Sequence, residues 1–291
     1  MGSRIISGTL GGISLGDDEP TRILGVINLT KSSFYSGSVM TSNEEIINEG
    51  VKMQRDGADF IDVGARSTAP YRQREVSEET EKRLLTNAIR LLSRRLQIPI
   101  SADTTRYEVA KSAIASGAKI VNNVYGLTQR DAKSMAHLLS LKDCSLLLTA
   151  HERNAKSLPD PINRVTTALR VSLKLAKDEG IEESDIAIDP GIGFFSDKAI
   201  SNVEWNCSVL SLLPLLRIFG SPICVGVSRK RFIGKLLGDI PPEERLNGSI
   251  SATAIAVFNG AHIIRTHDVK PTAEAVKIAQ AIREKGLRAK S

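Results

Sequence analysis

Short apolar runs rich in β-branched residues recur along the chain and alternate with longer segments of helical period. This alternation is typical of repeated βαβ units and predicts a parallel sheet. The runs are only a few residues long, which suits strands that are buried on both faces. Eight strands are predicted after the first twenty residues: Ile23–Asn28, Phe60–Val63, Ile100–Ala102, Ile120–Asn122, Leu146–Thr149, Ile186–Ile188, Ile223–Val227 and Ile263–Thr266.

The predicted helices have clear ends. Ser42 and Glu45 match a capping box at the start of the first helix. Three glycines open a weakly repeated Gly-Ala-x-x-Ile/Val stretch, which indicates helix, tight turn and strand in succession. Glycines stand where five helices should end: Gly57, Gly117, Gly180, Gly220 and Gly260.

Eight βα units in 291 residues predict one domain, an α/β protein of the (β/α)8 or TIM barrel class spanning residues 21–291. Before it, Arg4–Leu10 and Ile13–Leu15 flank Gly11-Gly12, which suits a two-residue hairpin turn. We expect this hairpin, within residues 1–20, to close the barrel floor. An open doubly wound sheet remains an alternative, because both folds share the same local pattern.

Composition narrows the class of protein. Hydrophobic content of 41% and charged content of 25% are ordinary for a globular protein, and no run approaches the length that spans a bilayer. We therefore expect a cytoplasmic protein. The net charge of +6 favours anionic ligands, and the basic residues are too scattered to predict nucleic-acid binding. The three widely spaced cysteines are expected to be buried thiols.

Nearly every predicted strand ends in a residue that ionises or makes paired hydrogen bonds. Any one of them could merely cap a helix, but recurrence at the same end of successive strands predicts an active site. The carboxylates and amides suit the N–H groups of a polar heterocycle, whereas the cations suit a diphosphate, so two subsites are expected. These residues are Asn28, Asp62, Asp103, Asn122, His151, Asp189, Lys230, Arg265 and His267.

From Ile23 to Val269 the chain resembles the dihydropteroate synthase family, which joins a pterin to an aminobenzoate and releases diphosphate. The last three of the motifs that carry the resemblance are highly specific. The motifs are Leu24–Thr30, Ile61–Gly64 with Ser67-Thr68, Ser101–Thr104, Val121–Val124, Ile188–Phe194, Val225–Lys230 and Arg265–Val269.

The resemblance implies a role for each matching residue. It implies catalysis by Asn28, Lys230, Arg265 and His267. It implies pterin binding by Asp103, Asn122, Asp189, Gly193, Phe194 and Lys230. It implies diphosphate binding by Asn28, Thr68, Arg265 and His267, with a magnesium ion on Asn28, and arylamine binding by Ser67, Thr68, Pro70 and Ser228. No side-chain nucleophile is required, and Ser228 has no base partner recognisable in the sequence.

Two loops depart from the family pattern. Ser32 and Ala69 stand where the family usually has an aspartate and an arginine, and Arg66 replaces a glutamate. Nearby loop residues could form a different lid, for a larger or phosphorylated acceptor: Tyr35, Tyr71, Arg72 and Arg74. Two alternatives therefore stay open, a non-catalytic pterin-binding protein and a pterin-dependent methyltransferase, although the Arg265-x-His267 set argues against the latter.

The resemblance also implies a homodimer. The apolar segment Ile250–Phe258 would suit a subunit interface, although a helix packed on the barrel is equally consistent with it.

Overall fold

The structure, a computed structural model, describes residues 5–30, 42–66, 76–154, 160–195 and 199–288. An antiparallel hairpin precedes eight parallel strands. The hairpin strands are β1 (Ser7–Leu10) and β2 (Ile13–Gly16). The parallel strands are β3 (Arg22–Asn28), β4 (Phe60–Gly64), β5 (Ile100–Asp103), β6 (Ile120–Asn123), β7 (Ser145–Thr149), β8 (Ile186–Asp189), β9 (Cys224–Val225) and β10 (Ile263–Thr266).

The parallel strands form a barrel, as predicted. Their order is β8-β7-β6-β5-β4-β3-β10-β9, so the last strand pairs with the first. A single parallel bridge between Ile188 and Ile223 brings the two ends of this sheet together. A doubly wound sheet would keep two open edges, and this alternative is therefore wrong.

Helices alternate with the strands around the barrel. The predicted capping box of Ser42 and Glu45 is present, and all five predicted helix-end glycines have positive φ, between 71° and 112°. The helices are α1 (Asn43–Arg55), α2 (Glu78–Arg95), α3 (Tyr107–Ala115), α4 (Ala132–Ser140), α5 (Pro161–Asp178), α6 (Asn202–Ser211), α7 (Arg231–Leu236), α8 (Leu246–Phe258) and α9 (Val269–Arg288).

The hairpin closes the barrel floor, as expected. Leu10 and Leu15 are buried against the inward-facing residues of the barrel, among them Phe60 and Leu147. The turn is also fixed to the barrel, because the Gly11 N–H donates to Ser145 Oγ at 2.9 Å. The end opposite this floor is therefore left for ligands.

Two local predictions differ from the structure. The seventh strand of the barrel was predicted over Ile223–Val227, but only Cys224–Val225 pair as a strand. At the amino end the reason is a side chain, because the Ile223 N–H donates to His262 Nδ1 at 3.1 Å. Among the cysteines, Cys144 and Cys224 are buried as expected, but Cys207 is exposed on α6. Within the described residues no helix is long and apolar enough to cross a membrane.

Candidate active site

A buried network of charges lies at the carboxyl ends of four strands. Asp62 on β4 accepts through Oδ2 from Arg265 Nε at 2.7 Å and from Asn122 Nδ2 at 2.9 Å. The Arg265 guanidinium also donates through Nη2 to Asp103 Oδ2 at 2.9 Å. The cation predicted for one subsite is thus paired directly with a carboxylate predicted for the other, so the two subsites adjoin.

Burial and neighbouring charges shift the pKa values in this network. Burial, together with the Asp62 carboxylate, raises the pKa of Asp103 to about 7, although Arg265 acts to lower it. For Arg265, burial acts to lower the pKa, but Asp62 and Asp103 outweigh it and keep the pKa above the ordinary value. The guanidinium therefore stays charged, while Asp103 can exchange a proton near neutral pH.

Three acceptor atoms in the network have no partner among the described residues, namely Oδ1 of Asp62, Asp103 and Asn122. A buried acceptor without a hydrogen bond is costly. These atoms are therefore suited to a ligand that presents N–H donors.

The β8 end supplies the next wall of the site. The Asp189 carboxylate accepts from the Gly191 N–H at 2.7 Å, and burial raises its pKa. After this turn, the Gly193 N–H donates to Asn206 Oδ1 at 2.7 Å. Phe194 then lies with its ring centroid 4.5 Å from the ammonium of Lys230.

Lys230 joins the β8 and β9 walls. Its Nζ donates to the carbonyl of Ile192 at 2.7 Å. Burial lowers the pKa of Lys230 to about 8, against the opposing effect of Asp189. Gly193 leaves room for this lysine, because a Cβ there would lie 3.1 Å from Lys230 Cδ.

Ser228 and His267 lie side by side at the ends of β9 and β10. Ser228 Oγ is 3.1 Å from His267 Nδ1 and accepts from the His267 backbone N–H at 3.2 Å. The sequence shows no base partner for Ser228 because a contact across 39 residues is not visible in it, whereas the structure places His267 beside the hydroxyl. Burial, with the Arg265 charge, lowers the pKa of His267 to about 3, so the imidazole is too weak a base to activate Ser228 as a nucleophile.

An ion pair between the buried Arg229 and the half-buried Asp268 fixes these two loops. Arg229 has a left-handed φ of 53° and donates from Nε and Nη2 to the two carboxylate oxygens of Asp268, each at 2.8 Å. Its Nη1 also donates to the carbonyls of Pro242 and Glu243. Paired guanidinium–carboxylate bonds fix orientation as well as distance. Ser228 and His267, each adjacent to one partner, are held in register.

A second charged cluster was not predicted from the sequence. Glu81 on α2 is fully buried and accepts from Arg106 Nη1 at 2.8 Å and from Thr104 Oγ1 at 2.7 Å. Arg66, which replaces the usual glutamate, lies 3.7 Å from Glu81 and donates to Thr105 Oγ1 at 2.7 Å. Arg66 is therefore part of the structure under the strand ends rather than a freely exposed loop cation.

The remaining predicted residues fall into two groups. Asn28 is half-buried at the end of β3. His151 contacts the Tyr125 ring at 5.2 Å between centroids and accepts from the Arg153 N–H. The other predicted residues lie outside the described residues: Ser32, Tyr35, Ser67, Thr68, Ala69, Pro70, Tyr71, Arg72 and Arg74.

Comparison with known proteins agrees with this geometry. The model of the pterin-binding enzyme family matches residues 24–267. Dihydropteroate synthase of Bacillus subtilis is 34% identical over 92% of this chain and 90% of its own length. The enzyme of Escherichia coli K12 is 33% identical over 93% and 94%.

Solved structures give the same result. Xanthomonas albilineans dihydropteroate synthase with 4-aminobenzoic acid has a TM-score of 0.83 and 33% identity, over 96% of this chain and 98% of the other. The same enzyme in complex with 7,8-dihydropteroate has a TM-score of 0.80 and 32% identity, over 95% and 98%. The chain therefore belongs to the dihydropteroate synthase family of pterin-binding enzymes.

Proposed function

We propose that the protein is a transferase that condenses 6-hydroxymethyl-7,8-dihydropterin diphosphate with p-aminobenzoate or a related arylamine and releases diphosphate. The observation that carries this proposal is the set of buried acceptors without partners at Asp103 and Asn122. A reduced pterin presents N–H and amino donors that complement these oxygens. The Asp189 carboxylate, the Phe194 ring and Lys230 complete the proposed pterin pocket, with Gly193 admitting the lysine.

The leaving group needs stabilisation of negative charge rather than a nucleophile. Arg265 and His267 offer N–H donors beside the pterin pocket, and we assign diphosphate binding to them, with Asn28 and Thr68. Donors that are already held in place lose little energy when charge develops on the leaving oxygens. The arylamine is assigned to Ser67, Thr68, Pro70 and Ser228, on resemblance alone for the first three.

Magnesium is proposed as the cofactor, held by Asn28. The side-chain oxygen of Asn28 is a neutral hard donor at the strand end, a kind that magnesium accepts. The described residues contain no group of three acidic, histidine or cysteine ligands, so most of the coordination shell would come from phosphate oxygens and water. When bound, the ion would neutralise charge on the departing diphosphate.

The test is turnover. The protein is incubated with the pterin diphosphate, magnesium and a panel of arylamines, including phosphorylated ones, and diphosphate release and product mass are measured. Arg265→Lys keeps the charge but loses the forked contacts to Asp62 and Asp103, and should lower the rate strongly. Arg22→Ala is the matched control, because Arg22 lies at the opposite end of the barrel and pairs with Asp59.

Product with the mass of a dihydropteroate would support the proposal. Tight pterin binding without diphosphate release from any arylamine would instead identify a non-catalytic pterin-binding protein.

We propose further that the protein is a cytoplasmic homodimer. Helix α8 buries Ser249, Thr253, Ala256 and Val257 on the barrel, whereas Ile255 and Phe258 are 54% exposed each. Leu236 and Leu237, at the end of α7, add exposed apolar surface beside them. Sedimentation equilibrium of the native protein and of Phe258→Lys tests the interface, and a monomeric native protein would contradict it.

A further inference from the structure

The hydroxyl of Ser228 makes two contacts with a single residue, His267. Its oxygen accepts from the backbone N–H of His267 at 3.2 Å and lies 3.1 Å from ring atom Nδ1. A hydroxyl has one proton to donate and two lone pairs. The backbone N–H occupies one lone pair of the hydroxyl oxygen. The position of the hydroxyl proton then decides which ring nitrogen of His267 is protonated.

Two arrangements fit these distances. In one, Nδ1 carries a proton and donates it to Oγ, and the hydroxyl proton must then find another acceptor. The described residues offer Oγ no acceptor other than Nδ1 within hydrogen-bond distance. In the other, the hydroxyl donates to Nδ1 and the ring proton lies on Nε2, so that only this N–H is left for a ligand. The first arrangement leaves two polar groups without partners among the described residues, the hydroxyl proton and Nε2, and is therefore the costlier one.

We propose that Ser228 is a positioning residue that holds His267 in the Nε2–H tautomer, so that the neutral ring donates a hydrogen bond to the departing diphosphate. This inference rests on the proposed function. Ionised phosphate oxygens accept hydrogen bonds and cannot donate them, so only a protonated Nε2 is useful there. Nε2 has no partner among the described residues and remains available to the substrate.

The surrounding charges support a neutral ring. Burial disfavours a second ring proton most strongly, followed by the charge of Arg265, two residues away on β10; Lys230 and Arg229 add to this effect, and Asp268 opposes it. The donor at Nε2 therefore persists across the whole range above mildly acidic pH.

The arrangement also restricts how Ser228 meets the arylamine. Because its only proton is engaged with His267, the hydroxyl has one lone pair left and can accept from an amine N–H. It cannot donate to an acceptor carboxylate unless it releases the imidazole. A kinetic experiment separates these roles, since the first affects the leaving group and the second affects arylamine binding.

The direct test is the nitrogen spectrum of the ring in the ligand-free protein. The chain has only four histidines, so 15N-labelled histidine gives few signals and His267→Gln assigns the one of interest. We expect Nε2 to be protonated and Nδ1 to be unprotonated in the native protein. In Ser228→Ala the Nδ1 signal should shift, and kcat should fall about three- to tenfold, the loss of one neutral hydrogen bond. Ser228→Thr keeps the hydroxyl and should restore both.

Ser145→Ala is the control, because it removes a hydroxyl that accepts from the Gly11 N–H at the barrel floor, the end opposite the site. It should leave the His267 signals and kcat unchanged. A native ring protonated on Nδ1, or His267 signals that do not respond to Ser228→Ala, would overturn the proposal. The two proposals can fail separately. If the expected tautomer is found but neither the native protein nor any variant releases diphosphate, the proposed function is wrong and the hydrogen-bond assignment still holds.

Discussion

Replacing Asp62 by asparagine should weaken the network on which both proposed subsites depend. Asp62 is fully buried, and its Oδ2 is the common acceptor for Arg265 and Asn122. Asparagine is nearly isosteric and can place its oxygen at the same point, so both hydrogen bonds are retained in geometry. The variant therefore removes the negative charge with little change in packing.

The magnitude follows from the kind of bond that is lost. A hydrogen bond to a charged group contributes about 1.5–3 kcal/mol, against about 1 kcal/mol for a neutral one. Because Arg265 remains charged and keeps its bond to Asp103, we expect Asp62→Asn to lower the free energy of unfolding by about 1–2 kcal/mol. Asp62→Ala leaves both donors without this acceptor and should cost about 3–5 kcal/mol.

The same change has an electrostatic consequence. The Asp62 carboxylate helps to raise the pKa of Asp103 to about 7, so the pKa of Asp103 should fall in Asp62→Asn. Urea denaturation, NMR titration of the Asp103 carboxyl and steady-state kinetics measure the three effects. The control is Asp59→Asn, at the opposite end of β4, where the carboxylate accepts from the Ile23 N–H at 2.8 Å. A native-like Asp103 titration together with unchanged turnover in Asp62→Asn would refute the reasoning.

Three further predictions concern single residues of the site. In the folded protein the pKa of Asp103 is raised from 3.8 to about 7, so its contribution to the free energy of unfolding is greatest below pH 4 and is lost as pH rises through 7. Asp103→Asn should remove this pH dependence when denaturation is measured from pH 4 to 8. In Asp189→Asn the side-chain oxygen must stay on the Gly191 N–H, so the amide NH2 group turns toward the pterin and should weaken pterin binding by about 2–4 kcal/mol. Unchanged pterin affinity in calorimetry would contradict the assignment. In Gly193→Ala the new Cβ would sit on a residue with φ of 81° and lie 3.1 Å from Lys230. We therefore expect the free energy of unfolding to fall by about 1–2 kcal/mol and the KM for the pterin diphosphate to rise. A native-like thermal midpoint would count against the packing argument.

The strands could be predicted because they are buried on both faces, and such burial requires a continuous apolar run that is visible in the local sequence. The start of β9 could not be, because the Ile223 N–H just before it is taken by the side chain of His262, 39 residues away. The pairing of Asp62 with Arg265, 203 residues apart, depends in the same way on barrel closure rather than on any local signal.

The burial of Glu81, by contrast, has a signal in the sequence. It stands four residues before Leu85 on the stripe of α2 that continues through Ala88, Ile89 and Leu92, all of them buried. A charged residue at an apolar position of a helix indicates a buried ionic contact. The sequence could thus have located Glu81, although not its partners.

The hairpin at the barrel floor makes the order of synthesis relevant to folding. Thr9 donates to Asp185 at 2.7 Å, across 176 residues, and Gly11 meets Ser145 across 134. At translation rates of about 5–20 residues per second, the first strands wait on the order of 10–35 s for the partner that they dock against. During that interval the apolar side chains of Leu10 and Leu15 have no barrel to enter. The amino-terminal strands are thus among the first residues made and among the last to reach their native contacts, and a chain arrested before β8 would expose them to chaperones.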